Sequence, residues 1–325
     1  MKIFVAGGAG FIGSHFIEKI ISSTDILELI VYDNFCSGRR NYLSNVMTSS
    51  SKIKLVEADI KHLGELTHSM QGSDLVVNFA ANADIAKALT QPDIDFWEGT
   101  YLTQNILEAM RITKTRQILY MSGSGVYGEA LNISFDEDYG PCQPISPYGA
   151  SKLACEALIS AYCHMFGIKG RAFRFANVVG PRQTHGVGYD FIRRLRVNSG
   201  VLRILGDGTQ CKSYIHVDDV LCAVLLVFAK MQEEEKCFDI YNVATDDYVT
   251  VTEIADAACE VSGLDRKAVH YDYTGGDRGW IGDVPKVLFN VEKIKGIGWH
   301  AQRTSKEAII ASLVSMLAEI TSENG

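Results

Sequence analysis

The sequence predicts an α/β fold: a doubly wound parallel sheet followed by a smaller C-terminal α/β lobe. Three observations carry this expectation. Short apolar runs rich in Val, Ile and Phe, without polar alternation, recur through the first half, as in strands covered on both faces. Segments of helical periodicity separate most of them, which implies parallel pairing through right-handed crossovers. After Asn177 the pattern changes to glycine-rich loops with isolated helices. The 325 residues, 47% of them hydrophobic, suffice for a large core and two domains. The boundaries read as 1–176 for the sheet domain, with returning elements near 215–245, and 177–325 for the lobe.

The elements follow in order. KIFVAG is a strand that runs directly into GGAGFIG and the helix FIGSHFIEKIIS. LELIVYD and KIKLVEAD are the next strands, a helix lies near HLGELTHSM, and DLVVNFAA is a fourth strand. A helix over FWEGTYLTQNILEAMR leads to the strand RQILYMS, whose end opens into the loop MSGSGVYG. A long helix from Pro147 to Phe166 and the strand KGRAFRFAN close the series. In the lobe, helices are expected near YDFIRRLR, VDDVLCAVLLVFAK and TVTEIADAACEVSGL, and FDIYNVA is expected to return to the first sheet as a strand. The tail from Ser322 to Gly325 is expected to fray.

Composition excludes several function classes. Net charge is −8 and there is no long block of like charges, so neither nucleic acid nor a membrane surface is an expected partner, and the substrate is expected to be small. No signal-peptide pattern and no apolar run of membrane-spanning length is present, which leads us to expect a cytoplasmic protein. The eight cysteines are scattered singly, without a CxxC pair or a histidine at zinc-ligand spacing. They are expected to be reduced, and no metal site is expected.

Gly7, Gly10 and Gly13 follow a strand and open a helix, and Asp33 ends the next strand about twenty residues on. Small residues let the backbone approach a pyrophosphate, the helix N-terminus faces its charge, and a carboxylate accepts hydrogen bonds from a ribose 2′-hydroxyl. The expected cofactor is therefore a dinucleotide in a Rossmann-type fold. Asp33 would repel a 2′-phosphate, which favours NAD over NADP; Arg39 and Arg40 read as a solvated face. Phe11, Ile12, Asn34, Asp59 and Ile60 are further candidates against the cofactor. Asp59 is placed to touch the adenine, but reads almost as well as a turn or cap residue.

In SPYGASKLACEAL, Tyr148 and Lys152 stand four apart on a helix and project from one face. A lysine beside a phenol stabilises the phenolate, so that the phenol can serve as a base. Beside a dinucleotide fingerprint, this pairing points to redox chemistry on a carbon bearing a hydroxyl.

At these residues the chain resembles the extended short-chain dehydrogenase/reductase family, and within it nucleotide-sugar epimerases of the UDP-glucose 4-epimerase type. The resemblance runs nearly end to end, through GGAGFIG, Asp33, NFAANAD, VYG, YGASK, RFANVVGPRQTHG with YDFI, KSYIHVDD, and GGDRGWIGDVPKVLFNVEKIKGIGW. It implies Tyr148 as base, Lys152 as its electrostatic partner and ribose ligand, and Ala80 and Ala81 as backbone contacts along the NAD channel. It also implies that Asn177 meets a sugar diphosphate and that Arg278 pairs with its phosphates. Lys212 stands where many relatives place an arginine on the nucleotide. Relatives carry a catalytic Ser or Thr four residues before the VYG tyrosine. Here that position is Gly123, between Ser122 and Ser124, so either one of these serines replaces it, with Ser124 preferred, or Tyr148 transfers the proton without that help.

Relatives that dehydrate the sugar carry an Asp-Glu pair just before the VYG, and those that decarboxylate a sugar acid carry a Glu; here Ser124 and Gly125 occupy those places. The implied reaction is NAD-dependent epimerisation at carbon 4 of a nucleotide-diphosphate sugar through a transient 4-keto intermediate. The alternatives are a dehydratase, a reductase or an epimerase at another carbon, on a GDP-, CDP- or dTDP-sugar, and a non-catalytic NAD sensor. The helices over FWEGTYLTQNILEAMR and SKLACEALISAYCHMFG resemble the pair through which relatives form homodimers, and equally read as core.

Overall fold

The computed structural model describes residues 1–129 and 133–322. Seven strands form one sheet: Lys2–Ala6 (β1), Glu28–Asp33 (β2), Ile53–Glu57 (β3), Leu75–Asn78 (β4), Gln117–Gly123 (β5), Lys169–Phe175 (β6) and Phe238–Val243 (β7). Their order is β7-β6-β5-β4-β1-β2-β3, so the returning strand FDIYNVA takes the edge beside β6. β1 runs parallel to both β2 and β4, β2 to β3, and β4 to β5. The direction of winding reverses between β1 and β4, where doubly wound sheets bind ligands beyond their carboxyl ends.

Burial explains the absence of polar alternation. Four of the five residues of β1, and five of the six of β2, are buried. On one face Phe4, Ile30, Val76, Ile118 and Tyr120 pack with Leu66, Ile106, Met110, Cys155 and Ile159. The latter come from Leu63–Met70 (α1), Tyr101–Thr113 (α2) and Pro147–Phe166 (α3). Each large apolar side chain removed from water contributes roughly 1.5–3 kcal/mol.

The segment FWEGTYLTQNILEAMR departs from a single helix. Phe96–Thr100 is a π-helical turn, and the α-helix begins at Tyr101. The cause lies on α3: a Cβ at Gly99 would collide with Ser151 Oγ, whose hydroxyl sits 2.9 Å from Thr100 Oγ1. The turn widens to admit that side chain. Such π-bulges occur often at functional sites.

The chain divides into two compact units, one of Met1–Val126, Pro147–Arg174 and Leu221–Tyr241, the other of Tyr127–Ser146, Phe175–Val220 and the residues from Asn242 on. In the second, the helices Val187–Val197, Val251–Val261 and Ser305–Ser322 bury Phe191, Ile192, Leu195, Ile254, Ala258, Ile309 and Leu313 in a separate core. A capping box of Thr250 and Glu253 starts the middle helix. Asn177–Val179 pairs in parallel with Tyr214–His216, and Val201–Ile204 with His270–Tyr273. These strands and the helix Ser305–Ser322 are not among the elements expected from sequence. The expected fraying concerns Ser322, here the last helical residue, and residues 323–325, which lie outside the described residues. Among the described residues no helix is long and apolar enough to cross a membrane.

Candidate active site

Gly7 leaves β1 with φ 71°, its N–H bonded to Tyr32 O at 2.9 Å. A Cβ on Gly7 would stand 2.7 Å from Ala80 N, and one on Gly13 only 2.5 Å from Gly7 O. Side chains at these positions would push apart the ends of β1 and β4 and the turn between β1 and the helix Phe11–Ile20. That helix is capped by Gly10, in extended conformation, without a side-chain hydrogen bond. The N–H groups of Phe11, Ile12 and Gly13 therefore lack intrahelical partners and are available to an anion.

Asp33 is buried at the end of β2, where its Oδ2 accepts from Ala9 N and its Oδ1 from Phe35 N, each at 2.8 Å. Burial raises its carboxyl above the usual range, and the two backbone donors pull it back. Asn34 Nδ2 donates to Asp59 Oδ2 at 3.2 Å, while Asp59 Oδ1 accepts from Lys61 N at 2.9 Å. Asp59 is thus a turn residue that also stands beside Asn34, and the buried Ile60 follows it. Ala80, half-buried with Ala81, donates its N–H to Asn78 Oδ1 at 3.0 Å. Arg40 pairs with Glu57 and stacks over Phe35, with its guanidinium carbon 4.3 Å from the ring centroid. A glycine cradle, an open helix N-terminus and a buried carboxylate one strand away fit a dinucleotide.

Lys152 and Tyr148 share a face of α3. Lys152 is buried, donates from Nζ to Met121 O at 2.7 Å, and lies 5.5 Å from the Tyr148 ring centroid and 5.1 Å from that of Tyr120. The carbonyl of β5 thereby fixes the ammonium beside the half-buried phenol. A Cβ at Gly123 would stand 3.8 Å from Tyr148 Oη, so the Tyr148 hydroxyl lies against the end of β5. The structure brings together Tyr148, Lys152 and the position where relatives carry their hydroxyl.

It separates the two serines. Ser122 is buried and donates to Glu156 Oε1 at 2.5 Å; Glu156 also receives Arg174 Nη2 at 2.7 Å and Nε at 3.1 Å. Successive strand residues point to opposite faces, so Ser122 is committed to this buried network while Gly123 faces the phenol. Of the two serine candidates, Ser122 thus already holds a buried carboxylate partner. Ser124 opens a short 3₁₀ turn, Ser124–Val126, and its half-buried hydroxyl has no hydrogen-bond partner among the described residues.

Three residues of the site escaped the sequence analysis. Ser151 Oγ donates to Asp95 O at 2.7 Å, and Asn82 Nδ2 donates to Asp95 Oδ1 at 3.0 Å. Ser151 lies inside YGASK and was available to inspection; Asp95 carries no motif.

In the second unit, Asn177 is exposed and donates from Nδ2 to Ser213 O at 3.3 Å. Lys212 is paired with Asp283, whose Oδ2 accepts from Gly279 N at 3.3 Å. Arg278 bonds Glu129 Oε1 through Nη2 and Asp277 Oδ1 through Nε, both at 3.1 Å. Lys212 and Arg278 thus belong to one patch, linked through Asp283, and Asn177 pairs in register with Tyr214, two residues beyond Lys212. Both cations already hold carboxylate partners, which the sequence did not reveal.

The comparisons with known proteins agree with this geometry. A provisionally named UDP-glucose 4-epimerase of Methanocaldococcus jannaschii is 32% identical over 314 residues, 94% of this chain and 95% of its own. A crystal structure of a UDP-galactose 4-epimerase superposes with TM-score 0.87 at 36% identity, covering 98% of this chain and all of the other. DesIV, a dTDP-glucose 4,6-dehydratase of Streptomyces venezuelae crystallised with NAD, superposes with TM-score 0.88 at 25% identity, covering 99% and 98%. Residues 3–244 match the family model described as NAD dependent epimerase/dehydratase, and the chain is a member of that family of NAD-dependent enzymes.

Proposed function

We propose that the protein epimerises a UDP-hexose of the glucose/galactose type at carbon 4, through a transient 4-keto sugar. The observation that carries this reading is the phenol of Tyr148, set against Gly123 and beside Lys152, with no carboxylate at Ser124 or Gly125 to eliminate water or assist decarboxylation. Bound NAD supplies a reversible hydride acceptor. Tyr148 takes the proton of the sugar hydroxyl and later returns it, Lys152 favours the phenolate, and Ser124 supplies the hydroxyl that Gly123 lacks. Asn177, Lys212 and Arg278 hold the diphosphate and nucleotide, and the guanidinium fork suits two phosphate oxygens. The backbone of Ala80 and Ala81, with Asp33, Asn34, Asp59 and Ile60, positions the cofactor.

The reading extends to assembly and location. A homodimer through α2 and α3 is supported by the exposed Ile112 and Met165, the latter 73% accessible. A cytoplasmic location is supported by cysteines that are all free thiols. The sheet domain of residues 1–176 with its returning elements would carry the chemistry, and 177–325 the nucleotide sugar.

Tyr148→Phe tests the mechanism. Loss of the base is expected to lower turnover by about 10²–10⁴-fold while NAD still binds; unchanged turnover would overturn the assignment. The substrate is tested with a panel of UDP-, GDP-, CDP- and dTDP-sugars. Exchange of 4-epimers without net NADH absorbance supports the proposal. A second reading, a dehydratase or an epimerase at another carbon, draws on the missing hydroxyl at Gly123 and the likeness to DesIV; loss of water from the sugar would establish the dehydratase.

A further inference from the structure

Asp95 immediately precedes the π-helical turn Phe96–Thr100 and is 2% exposed. Its carbonyl is held by Ser151, the residue before Lys152, and its Oδ1 by Asn82. Its Oδ2 is buried and accepts no hydrogen bond among the described residues. A buried, unsatisfied carboxylate oxygen is costly and calls for a functional explanation. Ser151, which holds the Asp95 carbonyl at 2.7 Å, is adjacent to Lys152 on α3 and so brings the two residues into one neighbourhood; burial pushes the Asp95 carboxyl up, and the Asn82 hydrogen bond and the positive charge of Lys152 hold it down.

The groups around Lys152 show what distinguishes Asp95. β5 contributes the Met121 carbonyl and the Tyr120 ring, and α3 contributes Tyr148, with Glu156 one turn further along the helix. Glu156 is matched by Arg174, and Glu98 of the π turn is paired with Lys61. Among the described residues the only side-chain donor to Asp95 is the neutral amide of Asn82, and no ion pair cancels its charge there.

We propose that Asp95 is a positioning residue of the Tyr148–Lys152 pair, a fixed buried counter-charge that offsets part of the lysine's field at the phenol. This rests on the reading of Tyr148 as the base of an epimerase. A base in an isomerisation takes a proton in one half-reaction and returns it in the other. Too strong a positive field makes the phenolate a weak base and the phenol a strong acid, which slows removal and speeds return, because proton transfer is fastest when donor and acceptor are matched. The carboxylate moderates that field, and its free oxygen can accept a water bridging to Lys152, whose ammonium has two N–H groups beyond the one given to Met121.

The test is Asp95→Asn in the full chain, which keeps the shape and the Asn82 contact. Two readouts apply: the acid limb of kcat against pH, and an ultraviolet difference titration of the phenolate, each protein compared with its Tyr148→Phe counterpart, with and without NAD. Both transitions are expected to move to lower pH, by about three- to tenfold in proton concentration, the effect of removing one nearby buried charge. Asn82→Leu, which withdraws the carboxylate's donor and favours its uncharged form, is expected to move them the same way and serves if Asp95→Asn does not fold. Transitions that stay in place in the folded variants overturn the role of Asp95. If Tyr148→Phe itself leaves turnover and the titration unchanged, the reading of Tyr148 fails instead.

Discussion

Gly123→Ser puts the missing hydroxyl to a direct test. The backbone at Gly123 lies outside the left-handed region, and an added Cβ meets only Tyr148 Oη at 3.8 Å and Cε1 at 4.0 Å, ordinary contact distances. The substitution is therefore accommodated, and removing a glycine from a strand end should stabilise the fold by about 0.4–1 kcal/mol through the unfolded chain. From that Cβ, the C–O bond of a serine reaches toward Oη within the range of a hydrogen bond, about 2.7–2.8 Å. One such bond contributes about 0.5–1.5 kcal/mol, or roughly two- to tenfold in rate if it is made in the transition state. The experiment is a pair of backgrounds. Ser124→Ala is expected to lower kcat/KM, and adding Gly123→Ser should restore it by that factor, with urea unfolding showing equal or greater stability. If the double variant stays as slow as Ser124→Ala, or Gly123→Ser destabilises the protein by more than about 1 kcal/mol, the account of the β5 end is wrong.

Two further predictions follow from the surroundings of the site. Arg174→Met leaves Glu156 buried with only Ser122, which should cost about 3–5 kcal/mol in urea unfolding; adding Glu156→Leu should recover much of the loss. Asp33→Asn should weaken NAD binding about ten- to hundredfold by calorimetry, the worth of hydrogen bonds to a charged acceptor. Because burial raises the Asp33 carboxyl, protonation sets in at higher pH than for an exposed aspartate; NAD affinity should accordingly fall on mild acidification in the wild type and change little over that range in the variant.

The sheet and its cofactor edge were legible because each left a periodic or positional trace. Continuous apolar runs marked β1, β2 and β4, and the spacing of Gly7, Gly10, Gly13 and Asp33 marked the turn that joins them. Tyr148 and Lys152 were legible from their helical spacing once the dinucleotide fingerprint stood beside them. What stayed hidden depends on contacts distant in the chain. Ser122 and Ser124 look alike in MSGSG, and only Glu156, 34 residues from Ser122, separates them. The π turn at Phe96–Thr100 follows from Ser151 pressing on Gly99, which no local propensity encodes. The lobe's strands, two to four residues long, are too short for a period to register.

The partners of Lys212 and Arg278 bear on how an anionic ligand arrives. Asp283, Glu129 and Asp277 neutralise these cations beforehand, so a diphosphate bound there as proposed would displace carboxylates as well as water. Added salt loosens the resident pairs together with the new ones, and ligand affinity should decline less steeply with ionic strength than two bare cations would dictate. The patch is thereby biased toward ligands that can engage both positions at once, because a lone phosphate gains too little to displace the carboxylates.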